Sequence, residues 1–406
     1  MKRVLLTVAL CAATSVAFGQ KKAVSDAQSI AKGTNPDFTE ARSLIKGALD
    51  NSETKDDAKT WFIAGFIEDQ QFNTEKTKQI LGQKPDEAKM YEAVYAVYPY
   101  FKKALDLDQV PNEKGKVKPR VTKDIKSILG ADHVYLFNGG AYYFDQKNYQ
   151  KAFDFFNQFL EISDMPLFAG TPTAAKDSTF MTVQFYAGVA STQLNNPQIA
   201  IKALERAKNT AYRQNDVYQY LCYEYEQAKD TVALENTLAE GQKLFPDEDY
   251  FMNSLINIYI YSNRNDKAIE SLNAAIAKKP NDANLYNVLG RVYETGLKDY
   301  ANAEKNFKKA LELDPNLVDA MSNIGRIYYN QGVAKQSEAN AINDTKKYQE
   351  EVGKAKDLFK QALPFFKKAH EAKPDETEYM IALRGIYYNL NMGEELKAIE
   401  AQMGNK

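Results

Sequence analysis

The sequence contains few of the side chains that catalytic and metal sites require. Its 406 residues include two histidines, His133 and His370, and two cysteines, Cys11 and Cys222. This inventory provides no paired His or Cys motif for a metal ion, and no Ser–His–Asp set stands out by its spacing. We therefore expect no catalytic residue, no metal ligand and no cofactor. We expect both histidines to be solvated or to cap helix ends.

Other absences exclude further classes of protein. The charge is nearly balanced, with 52 basic and 54 acidic residues, so the chain lacks the basic field that nucleic acid binding uses. After the leader described below, no apolar run reaches the ~18–20 residues that span a bilayer. We expect a soluble protein that has no transmembrane segment, does not bind nucleic acid and has a protein or peptide as its partner.

The first nineteen residues have the pattern of a secretory signal. Lys2 and Arg3 provide a positive start, residues 4–13 are apolar, and Ala17 and Gly19 place small residues at a cleavage site. We expect cleavage after Gly19 and a mature chain that is periplasmic or secreted from a bacterium.

The alternative to a cleaved signal is a lipoprotein anchored through Cys11. The bulky Leu10 before it disfavours this reading. Without the leader, Cys222 has no cysteine partner, and we expect it to be a small buried apolar residue rather than a reactive thiol.

The chain also contains a repeat. Three similar short segments end at Pro246, Pro280 and Pro315, which lie 34 and 35 residues apart. Proline stops a helix because it lacks an N–H group, so each of these segments marks a helix end. Apolar and small residues at helical spacing precede Pro315 in two runs: Tyr286, Leu289, Gly290, Tyr293, and Ala303, Phe307, Ala310, Leu311. We expect two helices separated by a turn at Thr295–Gly296.

The order of large and small residues in this unit resembles the tetratricopeptide repeat, in which small residues let two helices cross closely. The same phase recurs on both sides of the unit, which predicts a series of stacked helix pairs. The resemblance implies an all-α fold, a right-handed α-α superhelix of antiparallel helix pairs. In it, Gly290 and Ala303 would lie at the crossing, with Phe307 filling the space around them.

The regularity of the repeat also divides the chain after the signal into two regions. Residues 131–406 follow the repeat, with an insert at about 332–354 for which we expect longer helices rather than a loop. Residues 20–130 follow it more loosely and are expected to form divergent repeats. The phrase at residues 100–108 closely echoes residues 307–314.

The resemblance implies that the first helix of each pair lines a concave groove. The positions there that packing does not use are Asn253, Asn257, Asn287, Arg291, Ser322, Asn323, Arg326, Tyr329 and Asn330. Asn can donate to and accept from a peptide backbone, and Arg can hold a carboxylate. The Lys–Asn and Lys–Arg combination of carboxylate-clamping repeats is absent. We expect replacement of Arg291 and Arg326 together to weaken partner binding with little change in melting temperature.

These features predict a non-catalytic protein–protein interaction scaffold in the bacterial cell envelope. One alternative is a structural protein that associates with itself. Another is an accessory subunit that regulates an envelope enzyme or secretion complex. The polar tail at residues 398–406 disfavours open-ended stacking, so we expect a monomer.

Overall fold

The computed structural model describes residues 19–111 and 113–404. The predicted signal therefore lies outside the described residues, apart from Gly19. Within the described part the chain forms α-helices joined by turns and loops, with two short 3-10 helices between α6 and α7 and no strand. The helices are α1 (19–31), α2 (Phe38–Asp50), α3 (Ala58–Ile80), α4 (Glu87–Asp108), α5 (Thr122–Asp145), α6 (Tyr149–Asp164), α7 (Ser178–Thr192), α8 (Pro197–Ala207), α9 (Gln214–Gln227), α10 (Thr231–Leu244), α11 (Asp249–Tyr261), α12 (Asn265–Lys278), α13 (Ala283–Arg291), α14 (Tyr300–Leu313), α15 (Val318–Asn340), α16 (Thr345–Ala372), α17 (Thr377–Asn389) and α18 (Gly393–Gly404).

Local sequence defines where many of these helices begin. Many start after an Asp or Asn whose side chain accepts a hydrogen bond from a backbone N–H of the first turn, a contact that contributes about 1 kcal/mol. These capping residues are Asp37, Asp57, Asp86, Asn148, Asp177, Asn196, Asp282, Asp299 and Asp344.

The turns inside the helix pairs show the repeat in the backbone itself. Asn195, Lys229, Asn263 and Lys298 each follow the first helix of a pair and have positive φ, between 52° and 58°. They are 34, 34 and 35 residues apart, the spacing of the prolines. A residue in this left-handed conformation ends a helix and reverses the chain.

The prediction of a turn at Thr295–Gly296 was wrong. Both residues lie in a π-helical segment, Val292–Leu297, that continues α13, and the chain reverses at Lys298. A π-turn accommodates one residue more than an α-turn. It therefore takes up the extra residue that makes this spacing 35 instead of 34.

The described residues form two compact units, the first ending at Leu234 and the second beginning at Glu235. In the second unit the pairs are α11/α12, α13/α14, α15/α16 and α17/α18, and each pair packs on the next. The crossing of α13 and α14 is as predicted: a Cβ atom added to Gly290 would lie 2.6 Å from the ring of Phe307, and Ala303 is fully buried.

The first unit uses the same kind of crossing. A Cβ atom on Gly65 of α3 would lie 2.5 Å from the ring of Phe101 on α4, and one on Gly139 of α5 would lie 2.5 Å from Phe155 on α6. The all-α architecture of packed helix pairs is therefore confirmed within each unit. The division into divergent repeats at 20–130 and regular repeats at 131–406 stays a prediction.

The interruption at about 332–354 consists mostly of helix. α15 continues to Asn340, and α16 begins at Thr345 after a short connection. The two helices stay in contact along this extension, because Gly332 of α15 lies against the ring of Phe359 of α16. Ala339 of α15 and Ala355 of α16 are also fully buried.

Candidate functional site

The nine predicted groove residues lie on α11, α13 and α15 of the second unit, but they differ in exposure. Those that are exposed are Asn253, Asn257, Arg291 and Asn330. Arg326 and Tyr329 are half-buried. Asn287, Ser322 and Asn323 are buried, at 6%, 8% and 5% exposure. We call Asn253, Asn257, Arg291, Arg326 and Asn330 the A-helix face.

The buried members join neighbouring repeats to each other. Asn323 Nδ2 on α15 donates to Asn287 Oδ1 on α13 at 3.0 Å, and Arg326 Nη2 donates to Asn323 Oδ1 at 2.9 Å. Ser322 donates to the backbone oxygen of Asp319 within its own helix. These buried amides therefore stabilise the contact between α13 and α15.

Arg326 extends this network with a two-pronged ion pair to a buried acid. Its Nε and Nη2 atoms donate to Glu294 Oε1 and Oε2 at 3.1 and 2.8 Å. The side chain of Glu294 is 7% exposed. The hydrogen bond to Glu294 raises the pKa of Arg326. Glu378 of α17 lies 4.0 Å from Nη1, so this guanidinium links three consecutive first helices.

Arg291 stands at the same repeat position as Arg326 and is in a different situation. It is exposed at the end of α13, and its side chain takes part in none of the ion pairs or hydrogen bonds found in the described residues. The expectation that both arginines could be removed at little cost in stability therefore fits Arg291 alone. For Arg326 it overlooked the buried carboxylate of Glu294.

Tyr329 serves the packing of α15. Its ring meets Phe359 of α16 edge to face, with centroids 5.7 Å apart. Its hydroxyl occupies the space where Gly385 of α17 would carry a Cβ atom. Tyr329 thus fixes α17 beside α15 and presents part of its ring at the surface.

The sequence reasoning missed several residues at this surface. Glu294 was overlooked because an acid on a helix is usually solvated. Tyr261 is 87% exposed and lies one turn beyond Asn257, so extending the Asn253–Asn257 stripe would have found it. Ile381 and Tyr388 of α17, 48% and 71% exposed, occupy the repeat positions of Ser322 and Tyr329.

The histidine prediction was wrong for His133. α5 begins at Thr122, so His133 falls in its middle and is buried. Its ring stacks on Phe159, and Nε2 lies 2.9 Å from the Phe159 carbonyl oxygen and 3.0 Å from Ser163 Oγ. Burial lowers its pKa. His370 is half-buried near the end of α16, with Nε2 3.1 Å from Gln402 Oε1.

Cys222 is 1% exposed, as expected for a packing residue, and burial raises its pKa to about 12. Within the described ranges, no group of three or more His, Cys, Asp or Glu side chains is arranged to hold a metal ion. None of the helices described has the length and apolar character needed to cross a bilayer.

A family model described as TPR repeat matches residues 257–296 and 297–332. No curated protein matches the chain. Among solved structures, the crystal structure of MamA protein is 20% identical with a TM-score of 0.34, covering 46% of this chain and 94% of that one. A TPR repeats protein from Bacteroides fragilis is 20% identical with a TM-score of 0.31, covering 67% and 99%. MamA from Desulfovibrio magneticus is 16% identical with a TM-score of 0.31, covering 45% and 96%.

The family match begins at the end of α11, covers the whole of α12, α13 and α14, and ends in the first part of α15. It includes the Gly290–Phe307 crossing, Arg291 and the Arg326–Glu294 pair. Repeats of this class build surfaces through which proteins bind other proteins. Residues 257–332 of the chain are therefore tetratricopeptide repeats.

Proposed function

We propose that the second unit binds an extended segment of a partner protein on the A-helix face, and that the protein is a non-catalytic scaffold. The observation that carries this proposal is the contrast between two arginines at one repeat position. Arg326 is held by buried Glu294, whereas Arg291 is exposed without a carboxylate partner among the described residues. An unpaired guanidinium beside a fixed one is suited to take up a carboxylate from another chain.

The remaining residues of the face suit an extended backbone. Asn253 and Asn257 lie one turn apart, both exposed, and each amide can donate to and accept from a peptide group. Tyr261, next along the same stripe, offers a large apolar ring with a hydroxyl at its tip. The partner segment should therefore carry an acidic group with apolar residues on either side.

The envelope location is part of the proposal. It is supported by the signal pattern of residues 1–19, and a pull-down should accordingly use envelope extract. Self-association remains the alternative use of such a surface, and light scattering over a range of concentrations would detect it.

The test compares partner capture by matched variants. Arg291→Glu reverses the charge on the A-helix face. Lys305→Glu makes the same change at an exposed residue of α14, the second helix of that pair. We expect proteins captured by the wild-type chain to be lost with Arg291→Glu and retained with Lys305→Glu, as read by mass spectrometry. Equal capture by both variants would contradict the proposed site.

A further inference from the structure

The first unit buries two carboxyl groups against each other. Asp69 of α3 and Asp132 of α5 are each 5% exposed, and their side chains lie within hydrogen-bonding reach of one another. Beside them Phe72 of α3 meets Tyr135 of α5 edge to face, with ring centroids 4.9 Å apart. The acid pair and the ring pair together bring these two helices into contact.

Neighbouring donors satisfy only one of the two acids. Asn73 Nδ2 donates to Asp69 Oδ1 at 2.8 Å, and Gln70 Nε2 donates to Asp69 Oδ2 at 2.9 Å. Asp132 Oδ2 is buried without a hydrogen-bond partner. A buried carboxylate oxygen with no donor is costly, and two ionised carboxylates in contact repel each other. A single proton between the two groups removes both costs.

We infer that Asp69 and Asp132 share one proton at neutral pH, and that this proton holds α3 against α5, so that its loss in alkaline solution loosens the first unit. Asp132 is the acid, because it lacks other donors. Asp69 is the carboxylate that accepts, since Asn73 and Gln70 already stabilise its charge. Loss of the proton leaves two like charges in a buried contact.

The charges around the pair do not replace the proton. Lys76 lies on α3 with Nζ 4.6 Å from the ring centroid of Tyr135, and its charge lowers the pKa of both acids. Burial outweighs it. Together with the charge of Asp69, burial raises the pKa of Asp132 to about 8, and burial also raises the pKa of Asp69.

Charged groups on the other packed helices are engaged elsewhere. Arg42 of α2 binds Glu68, on α3 next to Asp69. Burial and the charge of Glu87 on α4 raise the pKa of Tyr91 on the same helix. His133 follows Asp132 in the chain, but its ring contacts α6. These arrangements leave the pair with Lys76 as its charged neighbour.

The direction of the pH effect follows from linkage. An aspartate in an unfolded chain titrates near pH ~4, and the folded pair keeps its proton to higher pH. The stabilisation is therefore complete below the unfolded pKa and is lost as the pH rises through the folded one. Between these limits each pH unit changes the unfolding equilibrium constant of the first unit by up to about tenfold.

The test uses Trp61, the single tryptophan of the chain, which lies on α3. Urea unfolding of the full chain, followed by its fluorescence, is compared at values from about pH 5 to about pH 9. Asp132→Asn places a neutral donor beside Asp69, and Asp145→Asn is a matched control at an exposed site of α5. We expect the wild type and the control to lose stability on this rise in pH relative to Asp132→Asn. Any effect of His133 is common to all three. Parallel curves would overturn the inference.

A second measurement needs no variant to be as stable as the wild type. Carboxyl carbon NMR of aspartate-labelled protein should show a resonance that titrates well above pH ~4 and is absent from Asp132→Asn. If all aspartates titrate in the ordinary range, the pair does not share a proton. If Ca²⁺ or Mg²⁺ in alkaline solution stabilises the wild type but not Asp132→Asn, the pair holds a cation, and the inference is likewise wrong.

Discussion

Phe307 of α14 lies directly against Gly290 of α13, with no room for a side chain at the glycine. A Cβ atom on Gly290 would come within 2.6 Å of the Phe307 ring and 3.1 Å of the Ala303 backbone oxygen. The backbone oxygen cannot turn aside as a side chain can. The distance between the two helices of this repeat is therefore set by the absence of one methyl group.

This contact predicts opposite effects for two glycine substitutions. Gly290→Ala should destabilise the second unit by roughly 1–3 kcal/mol, because the added methyl overpacks the crossing. Gly353→Ala is the matched control, since Gly353 lies inside α16 with nothing within 4 Å of its added Cβ atom. It should stabilise that helix by up to about 1 kcal/mol. Denaturant unfolding followed by circular dichroism would compare them, and equal stabilities would contradict the close crossing.

The two arginines of the A-helix face should contribute differently to the stability of the second unit. Arg326→Ala leaves buried Glu294 without its partner and should cost roughly 1–3 kcal/mol. Arg291→Ala removes an exposed side chain that has no ion pair among the described residues, so its melting temperature should stay close to that of the wild type. Calorimetry of both variants tests this difference. A melting temperature of Arg326→Ala equal to the wild-type value would show that the ion pair with Glu294 contributes nothing to folding.

Much of the fold was predictable because the repeat places residue size and chain reversal at fixed spacing. The resemblance to a known repeat assigned Gly290 and Phe307 to one crossing, and the structure places them there. The turn was misplaced because a π-helical segment carries Gly296 past the expected end of the helix. Gly in that position marks close packing on Asn265 of the preceding pair, not a turn.

The site was less predictable, because identical residue types at equivalent positions have different surroundings. Asn253 and Asn287 stand one repeat apart, yet the first is exposed and the second is buried against Asn323. The difference depends on which residue the first helix of the following repeat places against the asparagine. Asn287 has Asn323 as its neighbour there, and Asn253 does not. Burial of Glu294 likewise depends on Arg326 from the following repeat.

Cys222 should be inert in the native protein. It is 1% exposed, and burial raises the pKa of its thiol to about 12, so the thiolate that reacts with alkylating agents is absent near neutral pH. Iodoacetamide should leave the peptide containing Cys222 unmodified in native buffer and label it fully in urea, as measured by mass spectrometry. Rapid labelling of this peptide without denaturant would mean that α9 opens readily.

His133 should make the first unit less stable in acid. Burial lowers its pKa below the value near ~6.5 found in unfolded chains, so the folded state resists protonation. Stability from this residue is therefore present above the unfolded pKa and is lost as the pH falls through the folded one. His133→Phe keeps an aromatic ring against Phe159 and cannot be charged. Its unfolding, followed by Trp61 fluorescence, should depend less on pH in the acidic range than that of the wild type. His370→Phe is the matched control in the second unit and should retain the wild-type slope. A slope for His133→Phe equal to that of the wild type would mean that the His133 pocket admits water and that the imidazole is protonated there as readily as in the unfolded chain.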